Sequence, residues 1–190
     1  MPEFIQNEVT HTILERRSIR KYKPEQLSQA QLDTLMTCGF HAPSSSNSQT
    51  WFVSVVQSPS IFQLLTEKQR DFVLSDPGVA PQVRERFYDP GFSAVFGAPT
   101  VLWFSHPKGG SAVNVSLMAE NIVLAAHSLG LGTCYLGGIL HMLNSGKNDD
   151  LLKEIGAPEG FHLVFELTVG YPDETSDQKP RDYGKVTYIR

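Results

Sequence analysis

Apolar and polar residues follow one another along the chain at two spacings, one typical of helices and one of buried strands. Apolar positions three or four residues apart, often preceded by a capping residue such as Ser28 or Ser58, predict helices. These helices cover about 7–16, 28–39, 58–72, 111–129 and 149–155. Short β-branched and aromatic runs predict strands at 51–56, 100–104, 133–136 and 161–169, with a possible edge strand at 186–189. No internal repeat or linker interrupts them, so we expect a single domain over 1–190.

The helix predicted over 111–129 is apolar on nearly every side, and such a helix is expected to be buried all round. Its polar exceptions, Asn114, Asn121 and Ser128, repeat every seven residues. Small polar groups in this pattern can bond across a close helix–helix contact, or they can be satisfied within one subunit. The pattern favours neither interpretation.

A segment rich in proline and glycine separates the third predicted helix from the second predicted strand. It spans about 75–98 and carries the charged run Arg84-Glu85-Arg86. We expect a lid-like excursion with a short helix, of the kind that covers a site. Its aromatic residues Phe87, Tyr88 and Phe92 are either pocket walls or packing within the lid.

The composition narrows the class of protein. At 190 residues, with 41% hydrophobic and 19% charged residues, the chain is typical of a globular domain with a buried core. A net charge of -4 argues against general binding to nucleic acid or to a membrane surface. No apolar run is long enough to span a membrane, and the first residues do not resemble a secretory signal. Cys38 and Cys134 are interpreted as reduced thiols of a cytoplasmic protein.

The sequence lacks the motifs of several common classes of enzyme and metal site. The six histidines form no HxxxH or HExxH pair, and no Cys/His spacing suits a metal ion. No G-x-S-x-G motif surrounds a serine, so a Ser-His-Asp hydrolase is not expected. Gly130 and Gly132 follow a helix and open a strand, which is the reverse of a dinucleotide-binding fingerprint, and the pair Gly137-Gly138 does not stand where its third glycine is needed. No catalytic side chain is therefore assigned, and chemistry here requires a cofactor.

Four polar clusters suit a large planar ligand with a phosphate tail. Arg16, Arg17, Ser18 and Arg20 offer fork-shaped donors and a hydroxyl for phosphate oxygens, although a solvated basic helix end explains them equally well. The segment 42–51 offers hydroxyls and amides without charge; alone, it is typical of a surface turn. The remaining clusters are the pair Gly137-Gly138, where bare backbone can approach a flat ligand, and the segment 179–181.

In these clusters the chain resembles the FMN-dependent nitroreductase family over nearly its whole length. Four motifs carry the resemblance in order: R-R-S-x-R at 16–20, P-S-x-x-N-x-Q-x-W at 43–51, the helix from Glu120 that leads into Gly137-Gly138, and G-Y-P then K-P-R at 170–181. Thr50 stands where the family usually has proline, and the tail after Arg181 is brief. The resemblance implies an α+β fold with a mixed, mainly antiparallel sheet flanked by helices around a long buried central helix. It also implies a homodimer with FMN at the subunit interface.

The resemblance also assigns roles to the residues that match these motifs. It places Arg16, Ser18 and Arg181 at the FMN phosphate, with Arg17 nearby and Lys179 as a weaker candidate. Arg20 faces the pyrimidine edge, where a positive charge favours the reduced, anionic ring. The backbone N–H of Gly138, or of Gly137, meets N5 or O4 of the ring. The residues expected from the other subunit are Pro43, Ser44, Ser45, Asn47 and Gln49.

The implied activity is electron transfer from NAD(P)H through FMN to a nitroaromatic, a quinone or another small acceptor. Both substrates would use one pocket in turn, by a ping-pong mechanism, which requires no separate dinucleotide motif. Two alternatives remain. One keeps the fold and FMN but changes the chemistry to reductive dehalogenation or flavin fragmentation, since one fold hosts several reactions. The other is a non-catalytic module that stores or senses FMN.

Overall fold

The structure is a computed structural model that describes residues 4–146 and 148–190. Its helices are α1 (Glu8–Glu15), α2 (Gln29–Phe40), α3 (Pro59–Ser75), α4 (Pro81–Arg84), α5 (Ala112–Ser128), α6 (Leu140–Leu143) and α7 (Asp149–Glu154). Its strands are β1 (Phe52–Val56), β2 (Thr100–Pro107), β3 (Gly132–Leu136) and β4 (Phe161–Gly170). The five predicted helices and the first four predicted strands are present within a few residues of their expected bounds.

The helices begin where the sequence supplies capping groups. The Ser28 hydroxyl accepts from the backbone N–H of Gln31, and the Gln31 side chain accepts from the backbone N–H of Ser28, so both donors are satisfied. Ser58 caps α3 ahead of a proline at its first position, and Ser111 caps α5. Asn7 and Thr10 form a second capping box at the start of α1.

The four strands form one sheet in the order β1-β2-β4-β3, and every neighbouring pair runs antiparallel. Parallel pairing among the described residues is limited to an isolated bridge between Ser18 and Thr133 of β3. The predicted α+β fold is confirmed, and the parallel part of the expected mixed sheet is this single bridge. The bridge matters because it lays the arginine cluster along the start of β3.

Helices cover both faces of the sheet. One face packs on α2 and α5 through a core that includes Leu35, Leu102 and Ile122. α2 and α5 approach so closely that a Cβ on Gly39 would lie 2.8 Å from Ile122 side-chain carbons. The other face packs on α3, α6 and α7 around Trp103. The strand ends and the loops that follow them are therefore held rigidly from two sides.

The central helix α5 is not buried all round in a single chain. Val113 is 67% exposed and Leu117 is 41% exposed, so the expectation of full burial is wrong for the isolated subunit. The polar stripe is satisfied within the chain: Asn121 Nδ2 donates to the carbonyl of Cys38, and Ser128 Oγ donates to the carbonyl of Ala125. An apolar face of α5 consequently remains open to a partner.

The predicted excursion over 75–98 carries α4 and a short 3-10 turn at Glu85–Phe87. It is anchored to α3, because Arg70 Nε donates to the carbonyl of Phe87 at 3.1 Å and the Phe87 ring is 1% exposed. Phe92 packs on that ring at 4.6 Å between centroids, whereas Tyr88 is 67% exposed. Phe87 is therefore core packing, and Tyr88 is a surface residue.

The C-terminal residues 186–189 form no strand, and all of them are exposed. The prediction of a last edge strand is wrong for the single chain, because no neighbouring backbone lies there to pair with. Cys38 and Cys134 are free thiols, Cys38 partly exposed and Cys134 buried. Within 4–146 and 148–190, no helix has the length and apolar character needed to cross a bilayer.

Candidate functional site

The arginine cluster lies across the start of β3. α1 ends at Arg16, whose backbone N–H donates to the carbonyl of Thr12. The extended residues that follow pair with β3, where the N–H of Ile19 donates to the carbonyl of Thr133 at 2.9 Å. Because strand pairing fixes this backbone, the side chains of Arg16 and Ser18 are held beside the strand that leads to the glycine pair.

Arg16 and Arg17 differ in how much of their donor capacity is used. The Arg17 guanidinium donates to the carbonyls of Leu14 and Arg16 at 2.5 and 2.9 Å and lies 3.8 Å from the Glu15 carboxylate. The Arg16 side chain has no hydrogen bond or ion pair within the described residues. Arg16 is therefore the guanidinium free to bind a phosphate, while Arg17 mainly secures its own backbone.

The pKa values of two neighbouring side chains show which part of the fold these positive charges act on. Burial and the charges of Arg16 and Arg17 lower the pKa of His127, in the last turn of α5. Burial raises the pKa of the Cys134 thiol, an effect opposed by the charge of Arg20 and by a hydrogen bond from Ser18. The cluster thus concentrates positive charge over β3 and the end of α5, a suitable setting for an anion.

Arg20 is positioned by the segment that follows β4. Its backbone N–H donates to Glu174 Oε1 at 2.5 Å, and the N–H of Asp173 donates to the carbonyl of Lys21 at 2.9 Å. The hydroxyl of the partly buried Tyr22 contacts Thr168 Oγ1 at 2.8 Å, and burial raises the pKa of this tyrosine. The guanidinium of Arg20 is left exposed at the surface above β3.

The segment 42–51, the hydroxyl-rich loop, adopts a backbone conformation that costs free energy. Ser46, Asn47 and Gln49 all have positive φ, at 53°, 52° and 47°. Left-handed conformations in residues other than glycine are uncommon, cost of order 1–3 kcal/mol each, and concentrate at ligand-binding sites. Surrounding hydrogen bonds must therefore hold the loop in this shape, with most of its polar groups exposed.

Asn114 of α5 is the residue that holds the loop. Its Oδ1 accepts from the backbone N–H of Ser45 at 3.3 Å, and its Nδ2 donates to the hydroxyls of Ser48 and Thr50 at 3.2 and 3.0 Å. The side chain is buried. Gln49 N adds a bond to Ser44 Oγ at 3.0 Å. Asn114 thus connects the central helix to the loop, a positioning role that its sequence pattern alone did not assign.

Replacing Asn114 by alanine should destabilise the fold by roughly 1–3 kcal/mol, because it leaves the Ser45 N–H and two hydroxyls without their partner. Hydrogen exchange of the amides in 44–50 should accelerate as the strained loop relaxes. The matched control is Asn121→Ala in the same helix, which removes a single bond to the Cys38 carbonyl. Equal exchange rates across 44–50 in the two variants would contradict the assigned role.

The glycine pair follows β3 beside a cavity of about 310 Å³. A Cβ on Gly138 would lie 3.3 Å from Gln69 Nε2, so a side chain there would crowd the cavity wall. Gln69, Arg86, Phe92 and Glu166 also line this cavity. Exposed backbone without a side chain, next to a concave wall with polar groups, is an arrangement suited to the edge of a flat ligand.

Glu166 is an acid in an apolar setting. It is 1% exposed, and its Oε2 has no hydrogen-bond partner within the described residues. Burial raises its pKa from 4.5 to about 7. A strongly shifted carboxyl beside a cavity is typical of functional sites. Sequence reasoning missed Glu166, and its position in the otherwise apolar run 163–167 was the available signal.

The structure brings together only some of the predicted site residues in one chain. Arg16, Ser18 and Arg20 share the start of β3, and the glycine pair lies at its other end. At the N-terminal end of α5 lie instead the loop residues Pro43, Ser44, Ser45, Asn47 and Gln49, all exposed except Ser44, which is partly buried. Lys179 and Arg181 are exposed in the tail, where Arg181 NH1 donates to the Lys179 carbonyl. Gln178, just before them, lines a cavity against α1.

The sequence of the chain matches that of a known family. Residues 13–171 match the profile of the Nitroreductase family, which is most of the chain. The chain belongs to the Nitroreductase family. The resemblance inferred from the four sequence motifs is thereby confirmed.

Relatives and a solved structure of this family cover almost the whole chain. An NADPH-flavin oxidoreductase of Vibrio harveyi is 29% identical over 189 residues, covering 92% of this chain and 70% of the relative. An FMN reductase (NADPH) of Bacillus subtilis is 30% identical over 190 residues, with the same coverage. A nitroreductase with bound FMN from Desulfitobacterium hafniense superimposes with a TM-score of 0.88 at 25% identity, covering 98% of this chain and 100% of that one.

Proposed function

We propose that the protein is an FMN-dependent oxidoreductase that transfers electrons from NAD(P)H to a small organic acceptor such as a nitroaromatic or a quinone. The observation that carries this proposal is the free guanidinium of Arg16 held beside β3, at whose other end the bare backbone of Gly138 borders a cavity. Family membership and the FMN bound in the related nitroreductase support it.

The residues present fit FMN in three respects. Arg16 and Ser18 offer donors for a phosphate, and Arg181 can add charge from the tail, which approaches α1 at Gln178. Arg20 supplies an exposed positive charge above β3. The bare backbone of Gly138 can meet a ring edge at a place where a Cβ would crowd Gln69 Nε2 at 3.3 Å. FMN would supply the redox chemistry, and these residues would bind and orient it.

A single pocket is expected to serve donor and acceptor in turn. The chain has no dinucleotide-binding fingerprint, and the cavity of about 310 Å³ beside Gly138 is of the size class of small-molecule sites. A ping-pong sequence, in which the oxidised nicotinamide leaves before the acceptor binds, follows from this shared space. The protein's part is to orient each reactant and exclude water.

The active form is expected to be a homodimer that shares its flavin sites. The loop that carries Pro43, Ser44, Ser45, Asn47 and Gln49 lies at the start of α5, whereas the arginine cluster of the same chain lies near its last turn. All five residues except the partly buried Ser44 are exposed. The apolar face of α5 next to this loop, with Val113 and Leu117, is also open. A second copy packed on α5 would cover this face and bring its loop to the first copy's flavin site.

Replacing Val113 by lysine should shift the protein from dimer toward monomer, because a charge would be buried in an isologous contact, twice per dimer. Such a central interface change is expected to cost roughly 2 kcal/mol or more of association free energy. Sedimentation velocity at several concentrations measures it. The matched control is Val55→Lys on β1, an exposed valine away from α5. A Val113→Lys dimer as tight as the control would contradict the interface.

The principal test is spectroscopic. Purified protein should show flavin absorption that bleaches when NADH or NADPH is added without oxygen, and that returns when a quinone or nitroaromatic is added. Bound flavin that neither nicotinamide bleaches would support the alternatives, reductive dehalogenation or flavin fragmentation. If the flavin is bleached but none of the acceptors tested restores its absorption, the result would support a sensing module.

A further inference from the structure

Two buried side chains that line the cavity beside Gly138 have unused hydrogen-bonding capacity. Glu166 is 1% exposed and Gln69 is 4% exposed. Glu166 Oε2 and Gln69 Oε1 have no hydrogen-bond partner among the residues that the structure describes. Buried polar oxygens are normally satisfied, because leaving one unpaired is unfavourable. Their presence on one wall points to a polar ligand that the cavity receives.

The position of Glu166 in the sheet places it close to the glycine pair. Its register partner on β3 is Leu136, two residues before Gly138, and its partner on β2 is Trp103. Trp103 is fully buried, and its Nε1 also has no partner within 4–146 and 148–190. Glu166 therefore lies beside Leu136 and Trp103, on the sheet face that α3 covers.

The other charged groups that face this cavity are Arg86 and Asp89, both from the excursion and both exposed. Arg86 stacks on the Phe87 ring, with 4.7 Å from its guanidinium carbon to the ring centroid. An arginine does not give up a proton in a protein, so it cannot serve as an acid. Among the described residues that line the cavity, Glu166 is the buried group that can hold and release a proton.

Building on the proposed function, we propose that Glu166 is the proton donor to a quinone-type acceptor bound in this cavity. Reduction of a quinone to a hydroquinone needs a hydride equivalent and one proton. The nicotinamide supplies the hydride equivalent, with its two electrons, by way of the flavin. Glu166 supplies the proton: its Oε2–H bond breaks, and an O–H bond forms on the quinone oxygen.

The cavity suits both the release of the proton by Glu166 and its later replacement. Burial keeps the Glu166 carboxyl protonated up to a pH of about 7, so the proton is available under neutral conditions. After the transfer, the carboxylate lies in the same cavity as the positive charge of Arg86. Water entering past the exposed residues Arg86 and Asp89 then returns the proton. Gln69 Oε1 offers an acceptor for the second hydroxyl of the product.

The test compares two acceptors after the bound flavin has been reduced chemically with dithionite, so that it does not depend on the nicotinamide. A soluble benzoquinone requires a proton, whereas ferricyanide takes an electron alone. Glu166→Gln keeps the shape but cannot give a proton, so quinone reduction should slow roughly 100-fold or more. Ferricyanide reduction should stay at the wild-type rate. Glu154→Gln, an exposed glutamate on α7, is the matched control.

Two further measurements make the outcome decisive. In wild-type protein, the rate with quinone should fall as pH rises through about 7, while the rate with ferricyanide should not. In the flavin-free protein, an infrared carboxylic-acid band should disappear over the same range and be absent from Glu166→Gln. Equal rates with quinone in both proteins, or an equal loss with both acceptors, would overturn the inference. Neither result bears on reduction of the flavin by NAD(P)H, which the bleaching experiment tests separately.

Discussion

Replacing Arg16 by alanine is expected to weaken FMN binding by roughly 1.5–3 kcal/mol, or about 10- to 150-fold, the range of a charge-assisted hydrogen bond. Arg16 has no other partner within the described residues, so its removal takes away ligand contact without exposing an unpaired group. Arg181→Ala is expected to act in the same range if the tail reaches the phosphate. Flavin content after dialysis, and titration with FMN at two salt concentrations, measure both effects.

Arg17→Ala is the matched control for that experiment. The Arg17 guanidinium is already bound to the carbonyls of Leu14 and Arg16 and lies near Glu15, so its loss should affect stability more than flavin binding. Retention of FMN by both Arg16→Ala and Arg181→Ala at the wild-type level would show that the phosphate lies elsewhere. Equal losses from Arg16→Ala and Arg17→Ala would show that the cluster acts only through its net charge.

The second large effect is a dependence of stability on pH that comes from Glu166. Its pKa is raised by burial from 4.5 to about 7. Between these two values the folded chain keeps a proton that the unfolded chain has released, so the free energy of unfolding falls as pH rises. At about 1.4 kcal/mol per unit, the loss amounts to roughly 3 kcal/mol by pH 7 and is constant above it.

Glu166→Gln removes the titrating carboxyl and with it this dependence of stability on pH. The free energy of unfolding of the variant relative to wild type should therefore rise by roughly 3 kcal/mol between about pH 4.5 and pH 7. Urea unfolding at about pH 5 and about pH 8, with FMN in the same excess, measures the difference. Glu154→Gln controls for the loss of one surface carboxylate. If the two variants show the same change with pH, the Glu166 carboxyl is not held protonated by burial.

Local patterns predicted most of the secondary structure, since they depend on residues close together in the chain. The capping pair Ser28 and Gln31 marked the start of α2. The apolar period of 111–129 predicted α5, which the structure bounds at Ala112–Ser128. Four short motifs were enough to recognise the family, because each ties a backbone shape to a ligand contact. The antiparallel order of the strands could not be read in this way, since pairing depends on residues far apart in sequence.

The predictions that failed depended on which residues or chains pack against a given residue. Full burial of α5 was wrong because an apolar surface does not say whether its own chain or another covers it. The strand at 186–189 was wrong for one subunit because a strand requires a neighbouring backbone to pair with. Glu166 was passed over because its burial beside a cavity depends on residues far from it in the chain.

Local spacing and side-chain chemistry were enough to predict the family, the helices and strands, the basic cluster at 16–20 and the need for a cofactor. The folded arrangement was needed to learn that Arg16 is free while Arg17 is bound, that Asn114 holds the strained loop, and that Glu166 and Gln69 face one cavity beside Gly138. Those properties depend on distances between residues far apart in the chain, and folding alone sets them.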